Sequence, residues 1–353
     1  MKTRRFGILP SGEAIESYRL FGGGGAFLGV MTYGGIVTAL HVPDRNGRLD
    51  DVVLGFDDLD SYVAGHPYFG AITGRIAGRV SGGGFTLEGR RYDLVVNNGP
   101  NHLHGGLRGL DKRVWRAEPV DRADGADSVR LVYHSPDGEE GYPGSVDFSV
   151  TYTLTSDNVF ILESEVSTDQ LTPINVTHHS YFNLAGEASG SIVDHELTIF
   201  SSQAYASDDN MTPLPRLNSI IGTAADFRSP RRLGDVIPQL FKNHGDLYLL
   251  PQSDDGSLIP AARLFDPSSG RMLDVATNEP CLQMYTSVML DGSLRGKSRL
   301  AYAPYAAICL ECQGHSDAVN YPALPEIFVV PGKTRRRVTH YAFSTVETQT
   351  PTP

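Results

Sequence analysis

Glycine and proline punctuate this chain at short intervals, and hardly any helical periodicity lies between them. The 353 residues include 38 glycines and 22 prolines. The intervening runs alternate apolar with polar residues, a pattern typical of half-buried strands. Val129, Leu131 and Tyr133 form one such run, and the apolar positions of 146–154 form another. The spacing therefore predicts an all-β fold built from antiparallel strands, with few short helices.

Turn sequences support antiparallel pairing. Asn46-Gly47 and Glu88-Gly89 each separate two short apolar runs, and both pairs are typical of tight hairpin turns. Large β sandwiches and barrels can exceed the usual domain size as single units. We therefore predict one domain over residues 1–353, with residues 347–353 as a frayed tail.

Charge and composition limit the partners of the chain. Asp and Glu total 41 against 30 Lys and Arg, and the net charge of -11 repels phosphate backbones and anionic lipid. The N-terminal residues lack the apolar run of a secretory signal, and no other run is long enough for a membrane span. Three cysteines are too few to cross-link a chain of this size. We expect a cytoplasmic protein that binds neither nucleic acid nor membrane.

Histidine is concentrated beside glycine and asparagine in two segments. They are Asn97-Asn-Gly-Pro-Asn-His-Leu-His-Gly-Gly106 and Asn175-Val-Thr-His-His-Ser-Tyr-Phe-Asn-Leu-Ala-Gly186. His102 and His104 are two residues apart, so on an extended segment both would face the same way, as metal ligation or substrate binding requires. A hydrogen-bonded loop residue is an equally good interpretation of any single histidine here.

A third segment places a carboxylate among apolar residues. Glu311 lies in a predicted strand, where a buried carboxylate needs a purpose or a partner. With the two-residue period of a strand, Cys309, Glu311 and Gln313 face one side while Leu310 and Cys312 face the other. Glutamate and glutamine can therefore line one pocket. The two cysteines are badly placed for a disulfide or a zinc site.

Three further charged residues are weaker candidates. Asp246 opens an apolar strand, from which it can project into a site, although aspartate at such a position is usually a turn residue. Arg75 and Arg79 lie four residues apart among small residues. Either can clamp a hydroxyl-bearing ligand, although a solvated arginine is the usual interpretation.

Five stretches of the chain occur in the same order as the motifs of one known family. They are Pro43–Phe56, Pro67–Gly70, the Asn-His-Leu-His-Gly-Gly block, His179–Gly186 and Glu311-Cys-Gln313. On these motifs the chain resembles the aldose 1-epimerase (galactose mutarotase) family, from about Phe21 to Phe343. Several motifs in register carry far more weight than any one of them alone.

The resemblance implies a β-supersandwich, a large twisted antiparallel fold that binds a monosaccharide. It implies that Glu311 is the catalytic base and His179 the catalytic acid. The sugar ligands that it implies are Arg79, His104 and Asp246, and Gln313 joins them because it faces the same side of its strand as Glu311.

The chain departs from the family pattern at three points. His178 and Gly78 stand where many relatives have asparagine, and the usual His-Asn pair does not follow Asp246. The change at Gly78 removes a polar side chain from the region that faces the sugar. It therefore bears on substrate preference rather than on the reaction.

The implied reaction interconverts the α and β anomers of a free aldohexose such as glucose or galactose. One base and one acid suffice for it, so it requires no cofactor and no metal. We expect a monosaccharide as the substrate and a monomer or homodimer as the assembly. Aromatic residues can stack on a sugar, but Trp115, Tyr181, Phe182 and Tyr248 are better interpreted as core.

Three other functions remain open. A glycoside hydrolase would use Glu311 and Asp246 as its pair of carboxylates. A sugar-binding module would keep the pocket without turnover. A zinc hydrolase would use the clustered histidines, although the chain lacks the His-Glu-x-x-His spacing.

Overall fold

The first part of the chain forms a five-stranded antiparallel meander. The computed structural model describes residues 1–324 and 327–346, so the predicted tail at 347–353 lies outside the described residues. The strands of the meander are β1 (Lys2–Ile8), β2 (Ala14–Phe21), β3 (Phe27–Met31), β4 (Val37–Pro43) and β5 (Leu49–Asp51), and each pairs with the next. The predicted Asn46-Gly47 turn joins β4 to β5.

A short helix and several short strands follow the meander. Helix α1 (Leu59–Ala64) begins at Asp58, whose carboxylate accepts the backbone N–H of Ser61, and ends at Gly65. Side-chain capping of this kind satisfies one of the N–H groups that a helix start leaves free. The strands are β6 (Ile72–Thr73), β7 (Arg79–Val80), β8 (Gly84–Leu87), β9 (Arg90–Asp93) and β10 (His102–Leu103). The predicted Glu88-Gly89 turn joins β8 to β9.

The rest of the chain contributes every strand of two large sheets. Its first seven strands are β11 (Arg116–Pro119), β12 (Asp127–Ser135), β13 (Val146–Leu154), β14 (Val159–Thr168), β15 (Thr172–Pro173), β16 (Thr177–His178) and β17 (Tyr181–Phe182). The next elements are β18 (Glu196–Ile199), β19 (Gln203–Ser207), β20 (Pro213–Ser219), β21 (Arg231–Arg232), α2 (Leu233–Val236), β22 (Leu247–Leu249) and β23 (Ile259–Phe265). The last strands are β24 (Arg271–Thr277), β25 (Cys281–Tyr285), β26 (Ile308–Gln313), β27 (Phe328–Val329) and β28 (Arg335–Thr345).

Short 3-10 turns link these elements. They lie at Gly23–Gly25, Ser81–Gly83, Leu110–Lys112, Glu139–Gly141, Ile237–Gln239, Phe241–Asn243, Lys297–Arg299 and Ala318–Asn320. None of the helices in the described part of the chain is both long and apolar enough to cross a membrane.

Two large antiparallel sheets dominate the architecture. One has nine strands in the order β11-β12-β13-β14-β28-β24-β23-β18-β21, and the other has six in the order β17-β26-β25-β22-β19-β20. The two alternating runs described above, 129–133 and 146–154, lie in β12 and β13, neighbours in the nine-stranded sheet. The predicted all-β antiparallel class is therefore confirmed.

The main hydrophobic core contains residues from both large sheets and from the first meander. Val150 of the nine-stranded sheet, Leu310 of the six-stranded sheet and Leu28 of the meander all belong to it and are at most 1% exposed. Cys312 lies in this core, whereas Cys309 lies in a separate cluster. The predicted alternation of β26 is thus confirmed. Its two cysteines point to opposite faces, and both are unpaired and buried.

Candidate active site

Glu311 lies in the middle of β26, on the face of the strand away from the main core. Its neighbours Leu310 and Cys312 belong to that core, so Glu311 points to the opposite face. The residue is only 2% exposed. Strand β25 places Gln283 directly opposite Glu311 in antiparallel register, and directly opposed side chains share one face of a sheet. Two polar side chains therefore line this face side by side.

His179 lies in the tight connection between β16 and β17. Its backbone N–H donates to the Ala71 carbonyl at 2.9 Å, and its own carbonyl accepts the Gly70 N–H at 3.0 Å. The Tyr181 ring stacks on the imidazole with centroids 5.1 Å apart. These contacts hold the ring so that its Nε2 lies 3.6 Å from Oε2 of Glu311. The two residues assigned to acid and base catalysis thus meet in one buried site.

His104 is held by a reciprocal pair of hydrogen bonds with Gly78. The His104 N–H donates to the Gly78 carbonyl at 3.1 Å, and the Gly78 N–H donates to His104 Nδ1 at 3.1 Å. The loop then passes so close to Gly74 that a Cβ on Gly105 would lie 1.7 Å from the Gly74 carbonyl oxygen. Only glycine fits there, at a φ of +86°.

The Gly78 hydrogen bond fixes the tautomer of His104. Burial holds the pKa of this ring well below its usual value, so the imidazole is neutral and carries one proton. Because Nδ1 accepts the Gly78 N–H, that proton lies on Nε2. His104 therefore presents a hydrogen-bond donor to the site.

Three candidate metal-ligating groups meet here. One ligand atom each of His104, His179 and Glu311 lies within 4.8 Å of the other two, and two histidines with a carboxylate are a known zinc donor set. If Nε2 of His104 coordinated a metal, its proton would have to move to Nδ1. Nδ1 could then no longer accept the hydrogen bond from the Gly78 N–H. Histidine ligands instead need an acceptor opposite that second nitrogen. The cluster therefore suits hydrogen bonding better than metal binding.

Arg79 reaches the site from β7, where it pairs with Leu103 of β10. Its Nε donates to the side-chain oxygen of Asn98 at 2.9 Å. Its positive charge interacts with Glu311 and lowers the pKa of that carboxyl, against the larger effect of burial. Arg79 is thus a cation beside the carboxylate and has further donors for a ligand.

Arg75, the alternative to Arg79, has a structural role instead. The side chain is 3% exposed, and its guanidinium donates to the Ser135 hydroxyl and to the carbonyls of Ser135, Pro136 and Pro143. These bonds use its donors to fix the loop that precedes β13. Of the two arginines, Arg79 alone adjoins the residues of the site.

Asp246 directly precedes β22, the strand next to β25, and Gln313 is the last residue of β26, the strand of Glu311. The Asp246 carbonyl accepts the Met284 N–H at 3.1 Å, beside β25. Burial raises the pKa of its carboxyl to about 6, and the carboxylate forms no hydrogen bond with the described residues. Gln313 is 2% exposed, at the end of β26. Its Oε1 has no hydrogen-bond partner among the described residues.

Burial also perturbs the central pair, and in opposite directions. It raises the pKa of Glu311 to about 8 and lowers the pKa of His179 to about 4, because a buried site disfavours both charged forms. At a pH between about 4 and about 8 the pair holds one proton, and burial favours the state in which Glu311, rather than His179, carries it. The sequence hypothesis of a carboxylate beside an imidazolium has the same number of protons, but with the proton on His179.

Several aromatic groups that could not be identified from the sequence surround the pair. The Tyr68 ring lies 4.5 Å from that of His104 and 5.8 Å from that of His179, and the His244 ring lies 4.7 Å from that of Tyr285. Tyr68 belongs to the Pro67–Gly70 motif, which was the available signal. Tyr285 shares the face of Gln283 through strand parity, but no local pattern showed that β25 pairs with β26.

The four aromatic residues named in the sequence analysis are buried, as expected of core residues. Trp115, Phe182 and Tyr248 belong to the main core. Tyr181 lies in a second cluster, where it supports His179 from behind. Of these four residues, Tyr181 alone has its ring against His179.

The fold and this site together define a class of protein: an all-β enzyme with a buried acid–base pair among hydrogen-bonding groups. Residues 16–342 match the family model described as aldose 1-epimerase. Galactose mutarotases of Sus scrofa and Homo sapiens are each 41% identical to the chain, with 96% of this chain and 97% of each relative covered. The aldose 1-epimerase of Escherichia coli (strain K12) is 30% identical over 95% of this chain and 97% of its own length.

Solved structures agree with these matches. An aldose epimerase homologue from C. elegans superposes with a TM-score of 0.86 at 29% identity, over 94% of this chain and all of that one. The galactose 1-epimerase of Lactobacillus acidophilus has the same fold, with a TM-score of 0.84 at 24% identity over 98% of this chain and 99% of that one. The chain belongs to the aldose 1-epimerase family. It is a carbohydrate isomerase with the galactose mutarotase-like fold.

Proposed function

We propose that this enzyme interconverts the α and β anomers of free aldohexoses such as glucose and galactose. The observation that carries the proposal is the contact between His179 Nε2 and Glu311 Oε2 at 3.6 Å, within a buried site. Several curated relatives named galactose mutarotase, at 41% identity, support galactose as one substrate. The chain would act as a single catalytic unit, a monomer or homodimer in the cytoplasm.

The chemistry needs one proton acceptor and one proton donor on the same sugar. A cyclic aldose is a hemiacetal, so opening its ring requires loss of the proton on O1 and gain of a proton on O5 as the C1–O5 bond breaks. Glu311 takes the first proton and His179 delivers the second. Rotation about C1–C2 presents the other face of the aldehyde. O5 then attacks C1, His179 recovers its proton, and Glu311 returns one to O1.

The buried pair passes through two protonation states during this cycle. Ring opening converts carboxylate and imidazolium into carboxylic acid and neutral imidazole, and ring closure reverses the change. Burial favours the neutral pair, whereas the charge of Arg79 favours the carboxylate. The charge of Arg79 therefore reduces the preference of the buried pair for its neutral form.

The remaining site residues would bind the sugar hydroxyls. Arg79 offers charged donors, His104 offers the N–H of Nε2, and Asp246 offers a carboxylate that forms no hydrogen bond within residues 1–324 and 327–346. Gln313 provides an amide on the face of Glu311. Binding through ring hydroxyls leaves C1 free to change configuration, as a site that accepts both anomers requires. No cofactor is required for these steps.

Polarimetry tests the proposal. Freshly dissolved α-D-glucose and α-D-galactose should reach anomeric equilibrium faster with the enzyme, and a chelator should leave that rate unchanged. Methyl glycosides of the same sugars should stay intact. Release of methanol would instead support a glycoside hydrolase, loss of activity with chelator a zinc enzyme, and saturable sugar binding without acceleration a binding module. Any of these three results would overturn the proposal.

A further inference from the structure

Two buried polar side chains near the catalytic pair have unpaired atoms. Gln313 and Ser316 are 2% and 1% exposed. Oε1 of the first and Oγ of the second have no hydrogen-bond partner among the described residues. Leaving a buried polar atom unpaired costs about 1–3 kcal/mol. Native proteins therefore keep such atoms mainly where a ligand or an ordered water pairs with them.

Gly78 connects both groups to the proposed sugar site. A Cβ on this residue would lie 2.7 Å from Ser316 Cβ, 2.9 Å from Ser316 Oγ and 3.4 Å from Gln313 Nε2. Its φ of +77° also favours glycine. Gly78 donates to His104 Nδ1 and directly precedes Arg79. The lack of a side chain at residue 78 therefore lets an amide and a hydroxyl approach the segment that presents two of the proposed sugar ligands.

The chemistry of the pair matches a secondary hydroxyl. An amide and a serine hydroxyl are uncharged, and each can both donate and accept a hydrogen bond. A sugar hydroxyl also does both, whereas Arg79 can only donate. Gln313 lies two residues from Glu311 along β26, which is about 6.5 Å of strand, a separation comparable with the width of a pyranose and its hydroxyls. If Glu311 contacts O1 of the sugar, Gln313 and Ser316 would lie beside a part of the ring away from C1.

We propose that Gln313 and Ser316, brought together at Gly78, bind one secondary ring hydroxyl of the aldose and thereby determine which aldoses the enzyme prefers. The inference rests on the proposed function and extends it to substrate choice. A site built to hydrogen-bond a substrate hydroxyl rejects an analogue that lacks it, because its own polar atoms are then left unpaired. Ser316 is thus a specificity-determining residue.

The test compares an aldose with its 2-, 3- and 4-deoxy analogues. Polarimetry would give kcat/KM for the parent hexose and for each analogue, with the wild type and with Ser316→Ala. We expect the wild type to disfavour one analogue by about 10- to 100-fold. We expect the variant to lose about tenfold on the parent and to leave that one analogue unchanged. Selectivity at one carbon would then fall, while selectivity at the others persists.

Ser128→Ala is the matched control, since Ser128 is also a buried serine. Its Oγ is bonded to the Tyr152 carbonyl and to Thr153 Oγ1 in the nine-stranded sheet. Its removal should lower Tm and leave all sugar preferences as they are. Removal of the unpaired Ser316 Oγ should leave Tm unchanged or raise it. Gln313→Met serves as a second variant, with selectivity expected to fall at the same carbon.

The outcomes separate the inference from the proposed function. A wild type that does not accelerate mutarotation contradicts the proposed function, and the inference with it. An active wild type whose selectivity survives in both Ser316→Ala and Gln313→Met overturns the inference alone, and water then satisfies the two atoms. If one variant does not fold, the other decides by the same criterion.

Discussion

His178 and His179 are neighbours in the chain, and both are buried. Burial lowers the pKa of both, to about 3 and about 4. The His178 ring packs edge-on against Phe160 and Tyr341 with centroids 5.4 and 5.8 Å away, in the main core. The His179 ring faces Glu311. Residue type, burial and a lowered pKa therefore do not distinguish His179 from His178. The direction in which each side chain points does.

The two faces of β26 differ in the same way. We call Leu310, Cys312 and His178 the core face, and Glu311, Gln313 and His179 the site face. The core face contacts apolar side chains of the nine-stranded sheet, and the site face contacts polar and aromatic groups. If the comparison is right, substitutions on the site face change activity and substitutions on the core face change stability.

The largest expected effect is on the site face. Glu311→Gln removes the proton acceptor for O1, and His179→Asn removes the proton donor for O5. Each should lower kcat/KM by about two to four orders of magnitude. Polarimetry with α-D-glucose measures the loss, and circular dichroism checks that each variant keeps the β fold. Retention of most activity in both variants would contradict the assigned roles.

The next largest effect is on the core face. Leu310 is 1% exposed in the main core, so Leu310→Ala should destabilise the protein by about 3 kcal/mol, within the usual range for such truncations. Urea unfolding measures this change. Below the unfolding transition, kcat/KM should stay within about threefold of the wild type. A tenfold loss of activity in the folded variant would mean that the two faces are not separable.

The division into a core face and a site face follows largely from the sequence, but not entirely. The period of β26 predicts that Glu311 and Gln313 share a face opposite Leu310, because side-chain direction is a local property of a strand. The partner strand is not local. Gln283 meets Glu311 only because β25 pairs with β26 in one register, and a one-residue slip would turn it away.

The protonation of the pair also escaped the sequence analysis. Depth of burial depends on the whole fold, and it raises the pKa of Glu311 while it lowers that of His179. Similarly, the local pattern did not distinguish Arg75 from Arg79, since both lie among small residues, and only the family resemblance favoured Arg79. The choice depends on the loop carbonyls around Arg75, which long-range contacts place there.

The pH dependence sharpens the comparison. The pair works while it holds one proton. Above about pH 8 Glu311 ionises and the pair holds none, and below about pH 4 His179 is protonated and the pair holds two. We therefore expect kcat/KM to fall about tenfold per pH unit outside this range. A pH–rate profile of kcat/KM measures both limbs. A fall in kcat/KM with its midpoint near pH 6.5 would indicate a histidine with an unshifted pKa, and would contradict the buried pair.

Stability should follow the same ionisation. The pKa of Glu311 is raised from 4.5 in the unfolded chain to about 8 in the folded one. The folded state therefore binds more protons between these values, and the contribution of Glu311 to stability is lost as the pH rises through 8. Glu311→Gln lacks this dependence, so its stability relative to the wild type should rise by about 3 kcal/mol between pH 6 and pH 9. Urea unfolding at pH 6 and pH 9 makes the comparison.

The smallest effect concerns His178, the neighbour of the proposed acid His179. In the structure its Nε2 is hydrogen-bonded to Ser180 Oγ at 3.0 Å, and its Nδ1 is buried without a hydrogen-bond partner among the described residues. His178→Asn would lose the ring contacts with Phe160 and Tyr341, each worth about 0.5–1.5 kcal/mol. It would also remove an unpaired nitrogen, which offsets that loss.

We therefore expect His178→Asn to change the free energy of unfolding by about 1 kcal/mol or less. We also expect kcat/KM to stay within about twofold, with both pH limbs in place, because the ring lies beside a core cavity of about 20 Å³ and not on the side of the proposed sugar site. The measurements are urea unfolding and the pH–rate profile, with His179→Asn in parallel as the matched variant. A displaced acid limb or a tenfold loss in His178→Asn would show that the core face takes part in proton transfer. His178 and His179 would then not differ in function as proposed.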